Sequence, residues 1–138
     1  MGRVLTQPDI PHAEPKMGKV AVIYTTPETV ISDYARLLDL ADYQTALTAD
    51  IDTFLKVNIS WQHYYPACSS APWQIDGVAQ KLKRDGFNKL IAAHNGTVVV
   101  DPIEGRENNK HQLVEDRLGL DHVVLDAPPI KWVPYRPT

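Results

Sequence analysis

The run TFLKVNI, Thr53 to Ile59, decides how the rest of the chain is read. Alternation along a strand puts Phe54, Lys56 and Asn58 on one face and Leu55, Val57 and Ile59 on the other, so a cation is written into an otherwise apolar strand. A long polar loop with several aromatics follows, then a helix that Pro72 opens with Ser70 or Ala71 as cap. Ile75, Val78, Ala79 and Leu82 fall at helical spacing, and Asp85-Gly86 closes the helix with Phe87 as the accompanying apolar contact. Leu90 to Ala93 is the next strand, ending at His94.

On the amino side, Lys19 to Tyr24 (KVAVIY) is apolar and β-branched, as expected of a strand covered on both faces. Thr26-Pro27-Glu28 then starts a helix reaching about Leu40, with Val30, Tyr34, Leu37 and Leu38 on one stripe. Ala41 to Asp52 is a mixed connection with room for a further turn. Residues 1–18, which carry Pro8, Pro11 and Pro15, read as an extended arm. On the carboxyl side, Asn95-Gly96 before Val98-Val99-Val100 reads either as a hairpin turn or as the loop of a strand–helix–strand unit. Pro102 to Asn109 reads as a polar loop with Glu104 and Arg106 in solvent. Lys110 to Leu118 is a helix closed by Gly119, and His122 to Asp126 is a last strand. This order predicts an open, mainly parallel α/β sheet of about four strands with flanking helices, Rossmann-like. Residues 19–138 form a single domain that reads as the amino-terminal part of a longer one.

In such sheets ligands collect outside the carboxyl ends of the strands. Lys56, Asn58, Ser69, Ser70, His94 and Asn95 fall around that rim, with Thr25, Thr26, Ser60 and Asp126 close to it. An amine, carboxamides, hydroxyls and the free N–H groups of a helix start are donors, which suit a small anionic ligand. Each also has a plain structural reading: Lys56 on an edge strand with its amine in water, Asn58 bonding nearby backbone, the serines as caps, His94-Asn95 as a turn.

A net charge of -3 and a pI near 5.9, with lysines and arginines scattered, exclude nucleic acid as principal partner. No apolar run approaches the ~20 residues of a membrane helix, and no signal-peptide core opens the chain, so the expected address is cytoplasmic. Cys68 is the single cysteine, so this chain alone builds neither an intramolecular disulfide nor a four-thiolate metal site. Dinucleotide, P-loop and nucleophile-elbow motifs are missing. A second functional reading, of another class, is a non-catalytic interaction module in which Trp61, Tyr64, Tyr65, Trp73, Trp132 and Tyr135 form an exposed surface for a partner or a second copy.

Phe54-Leu55-Lys56-Val57-Asn58 resembles the apolar run into Lys-Pro-Asn of the domain of unknown function 362 family, and Ser69-Ser70-Ala71-Pro72 resembles its helix start. Lys81-Leu82-Lys83-Arg84-Asp85-Gly86-Phe87 with Lys89-Leu90-Ile91 is similar to its helix, glycine and strand, and the likeness runs from about Lys19 to Asp126. The resemblance implies an α/β domain related in layout to the amino-terminal domain of nickel-pincer lactate racemases, and carries over Lys56 and Asn58. Val57 stands where the family usually has proline. Some members are associated with ferredoxin-like modules, which implies redox work with an iron–sulfur cluster. Such a cluster would come only from further sequence or a partner domain, since no cofactor is expected within this chain.

Overall fold

The strand β2 (Leu90–His94) is buried along its whole length because another strand lies on each side of it. In this computed structural model, which describes residues 18–65 and 67–134, β1 (Thr53–Lys56) pairs with it in parallel, Thr53 opposite Leu90 and Lys56 opposite Ala93. On the other side β3 (Asp121–Val124) is also parallel, with Ala92 opposite His122 and His94 opposite Val124. The result is an open three-stranded parallel sheet in the order β1-β2-β3.

Parallel neighbours need crossovers, and right-handed crossovers that advance in one direction put every helix on the same face. Helix α2 (Pro72–Arg84) makes the first crossover; α3 (Pro102–Asn108) and α4 (His111–Leu118) make the second. Helix α1 (Val30–Leu40), followed by a short 3-10 turn (Tyr43–Thr45), packs on α2, and α2 packs on α4. The core lies between this helical layer and the sheet: Val57, Leu90 and Ala92 meet Ile75, Ala79 and Leu82 of α2, with Val114, Leu120, Tyr43 and Phe87 closing the ends. Glycine is required at position 77, where α1 and α2 approach: a Cβ there would lie 2.7 Å from Cβ of Tyr34.

Lys81 ties the ends of α1 and α2 together, with Asp39 at 2.7 Å and Asp85 at 2.8 Å. Hydrogen bonds to both carboxylates raise its pKa. The Lys81 ammonium, with the Tyr43 hydroxyl, holds the Asp85 carboxyl down at about 2.

Two expectations change, and one open alternative is resolved. Lys19–Tyr24 carries no assigned strand and joins no ladder, so among the described residues the sheet has three strands where about four were expected. Val98 to Val100 does not form a hairpin with β2, whose two edges are already taken by β1 and β3; a lone Thr97–Val100 bridge remains. The segment read as a polar loop from Pro102 is helix α3, capped by Asp101, whose carboxylate accepts the N–H groups of Ile103 and Glu104. Arg106 therefore turns inward and pairs with the buried Glu115 instead of facing solvent. The extended arm assigned to residues 1–18 lies outside the described residues apart from Gly18, as does Tyr135.

Candidate functional site

At the carboxyl edge of β1 the chain is pinned by a ring of short polar bonds. The Asn58 N–H donates to Ser70 Oγ at 3.0 Å, the Ser70 N–H donates back to the Asn58 carbonyl at 2.9 Å, and the Ser60 N–H donates to Ser69 Oγ at 3.2 Å. The Asn58 carboxamide closes the ring by donating to Ser60 Oγ at 2.6 Å. Each of the three serine hydroxyls accepts one bond here, and a hydroxyl that accepts still carries a hydrogen to donate. The start of α2 has less to offer: Gln74 Oε1 takes the Ala71 N–H at 2.8 Å, the Gln74 N–H goes to the Ala71 carbonyl, and Pro72 has no N–H.

Lys56 stands apart from this ring. Leu55 and Val57 point into the helical layer, so Lys56 and the exposed Phe54 leave the sheet on its other face. The Lys56 amine curls over the end of the strand and donates to the Val57 carbonyl at 3.1 Å, with no carboxylate beside it among the described residues.

Behind the ring lies a histidine cluster that sequence reading reached only through His94. His94 and His122 share the helix-facing side of adjacent strands, two residues out of register, and their Nε2 atoms meet at 2.5 Å, one of the two carrying the hydrogen. His111, at the start of α4, donates from Nε2 to the Ser70 carbonyl at 2.6 Å. Nδ1 of His94 and Nδ1 of His111 are buried without a partner. On His111, whose Nε2 holds the hydrogen given to the Ser70 carbonyl, a second proton would create a buried Nδ1–H with nothing among the described residues to accept it. Burial, reinforced by His122, His111, Lys56 and Arg106 nearby, pushes His94 down to about 4. Burial likewise lowers His111 and His122. Glu115, one turn after His111 and 1% exposed, is held by Arg106. The legible signal was the i, i+4 pair His111–Glu115 on the stripe of Val114 and Leu118.

Asn95 is exposed at the end of β2, and the next residue, Gly96, donates its N–H to Asp126 Oδ1 at 2.8 Å, which joins the ends of β2 and β3. The aromatic loop after the ring is anchored on α3: Asn109 Nδ2 donates to the Trp61 carbonyl at 2.9 Å, and Asn108 Nδ2 to the Gln62 carbonyl at 2.9 Å. Its Trp61, Tyr64 and Tyr65, with Trp73 and Trp132, are exposed. A separate, mainly apolar cavity of about 510 Å³ opens between the starts of α1 and α2, lined by Thr25, Thr26, Pro27, Val30, Ile31 and Trp73.

The structure thus brings Asn58, Ser69 and Ser70 into one bonded unit and sets His94 behind it, while Lys56 and Asn95 occupy the same rim without a bond to that unit. Among the described residues no three histidine, cysteine or carboxylate side chains are arranged to hold a metal ion, and no helix is long and apolar enough to cross a membrane. No family model, curated protein or solved structure matches the chain.

Proposed function

We propose that this chain provides one wall of a site for a small anionic ligand at the carboxyl edge of its sheet. The observation that carries the reading is the serine ring: Ser60, Ser69 and Ser70 are locked in place by bonds they accept, which leaves three pre-positioned hydroxyl hydrogens. Fixed donors of this kind bind anions without first having to be ordered. Lys56 adds the charge, since its amine has two hydrogens left after bonding the Val57 carbonyl. Asn95 and the rim beside His94 complete the proposed lining. The likeness to the domain of unknown function 362 family supports the choice of Lys56 and Asn58. Any redox step with an iron–sulfur cluster would need thiolates from outside this chain, because Cys68 is alone.

Titration of the labelled chain with inorganic phosphate, sulfate and a small carboxylate, followed by amide and lysine side-chain resonances, tests the proposal. Saturable shifts at Ser60, Ser69, Ser70 and Lys56, weakened about tenfold by Lys56→Met, are expected for loss of one charge-assisted bond. Resonances at these positions that do not move with any of the three anions refute it.

The exposure of Trp61 at 41%, Tyr65 at 68% and Trp132 at 70% favours a second reading, a protein-interaction surface for a partner or a second copy. Sedimentation of the isolated chain over a concentration series addresses the self-associating form of that reading.

A further inference from the structure

We infer that Lys19–Tyr24, which stands off the three-stranded sheet in this structure, is a strap poised to dock on the free edge of β1 as a fourth parallel strand and close the open side of the sheet. Four observations argue for that docking. First, the segment runs antiparallel to α1: Lys19 is paired with Asp42, just beyond the carboxyl end of α1, while Thr26 bonds the N–H groups of Thr29 and Val30 at its beginning. Second, α1 and α2 run in the same direction, because their starts share a cavity and their ends share the Asp39–Lys81 pair. The start of α2 is at the carboxyl rim, so Lys19–Tyr24 travels from the amino to the carboxyl edge, as β1, β2 and β3 do.

Third, handedness selects the edge. A right-handed crossover from this segment through α1 into β1 leaves α1 on the same face as α2 only if the segment lies on the side of β1 away from β2. Helix α1 packs on α2, and that side of β1 is unpaired among the described residues. Fourth, both edges have matching unmet needs. Thr53 and Val57 direct their N–H groups to β2, so Phe54 and Lys56 direct theirs outward. Among the described residues the backbone of Lys19–Tyr24 bonds no other backbone, and its alternation is that of a strand: Val20, Val22 and Tyr24 at 86%, 80% and 99% exposure, with Ala21 and Ile23 partly covered. An exposed β-branched run beside an open edge is a template for pairing. In that direction of travel Thr25 and Thr26, which line the 510 Å³ cavity, come to the carboxyl rim.

Amide hydrogen exchange on the full chain tests the strap without any ligand, and so separately from the anion proposal. The expected result is protection of the Phe54 and Lys56 amides, and of alternate amides in Lys19–Tyr24, on the order of a hundredfold relative to an unstructured chain, unchanged when the protein is diluted. The double substitution Ala21→Pro with Val22→Pro removes an N–H in either phase of the strand. It should abolish protection at Phe54 and Lys56 while the central Ala92 amide stays protected. Exchange of Phe54 and Lys56 at unstructured rates in the wild type overturns the inference. So does protection that falls on dilution, which would assign the strand to a second copy, or protection that survives the double substitution. Should the double variant not fold, the wild-type rates and their concentration dependence decide alone.

Discussion

Acidification should destabilise this protein well before its carboxylates titrate, and the histidine cluster sets the size of the effect. His94 has an ordinary pKa of 6.5 and is held at about 4 in the folded chain. Its folded pKa is lowered, so the unfolded chain binds the extra proton first as pH falls through 6.5, and stability present above that point is lost progressively down to 4. Each excluded proton gives a slope of about 1.4 kcal/mol per pH unit, so His94 alone removes about 2 kcal/mol between pH ~7 and ~5. His111 and His122 are lowered in the same direction and add to the loss. Against a total stability of about 5–15 kcal/mol for a domain of this size, that is a large fraction. Asp85, held at about 2, takes no part in this window. Urea unfolding followed by circular dichroism at the two pH values measures the difference directly. His94→Asn should flatten the slope by about one proton while lowering stability at neutral pH, because the His122 Nε2 loses its partner. Equal wild-type stability at both pH values, or an unaltered slope in the variant, refutes the argument.

Three further changes test the packing around the site. Arg106→Met leaves Glu115 buried at 1% exposure without its partner and should cost about 3–5 kcal/mol, with much of that recovered when Glu115→Leu is added; chemical denaturation of both variants checks it. Gly105→Ala places a Cβ 2.5 Å from Ile59 Cγ2, so the loop after β1 must shift, and the thermal midpoint should fall by the equivalent of about 1–3 kcal/mol despite the better helix propensity of alanine. Asn109→Ala removes the donor shared by the Trp61 and Gly105 carbonyls and should cost about 1–3 kcal/mol, with a change in tryptophan emission that accompanies release of the Trp61 loop.

Where local chemistry and tertiary context agree, the sequence was enough. Pro72 and Asp85-Gly86 bracket α2 within its observed bounds because a proline start and a glycine with φ +93° obey local sterics whatever packs around them. The Asp101-Pro102 start of α3 carries the same kind of signal, yet the polar residues after it hid the helix: only Gly105 of α3 is buried. The choice at Asn95-Gly96 between a hairpin and a strand–helix–strand loop stayed open for a different reason. The turn chemistry is sound, but a hairpin needs a free edge on β2, and edge availability is a property of the whole sheet.

The candidate site divides along the same line. Asn58, Ser69 and Ser70 lie next to strand and helix ends, so their meeting at the rim could be read from topology. The contacts of His94 with His122 and of His111 with Ser70 span 28 and 41 residues and depend on strand register and on how α4 packs. Beyond the i, i+4 spacing of His111 and Glu115, which marks a polar pair on the apolar stripe of α4 and not its contacts, no local signal marks them. The face on which Lys56 emerges was also legible, since it follows from alternation with Leu55 and Val57. What alternation alone left undecided was which face the helices cover. Helices α2 and α4, with α1 packed on α2, lie on the other side, so an anion held by the serine ring reaches the Lys56 amine only across the end of β1. The position of Val57, where the resemblance would place proline, is therefore the point on which the proposed site turns. Its N–H bonds the Ala93 carbonyl at 2.8 Å and its carbonyl receives the amine, two contacts that keep strand and lysine in register. Proline at 57 would abolish the first and release this end of β1 from β2.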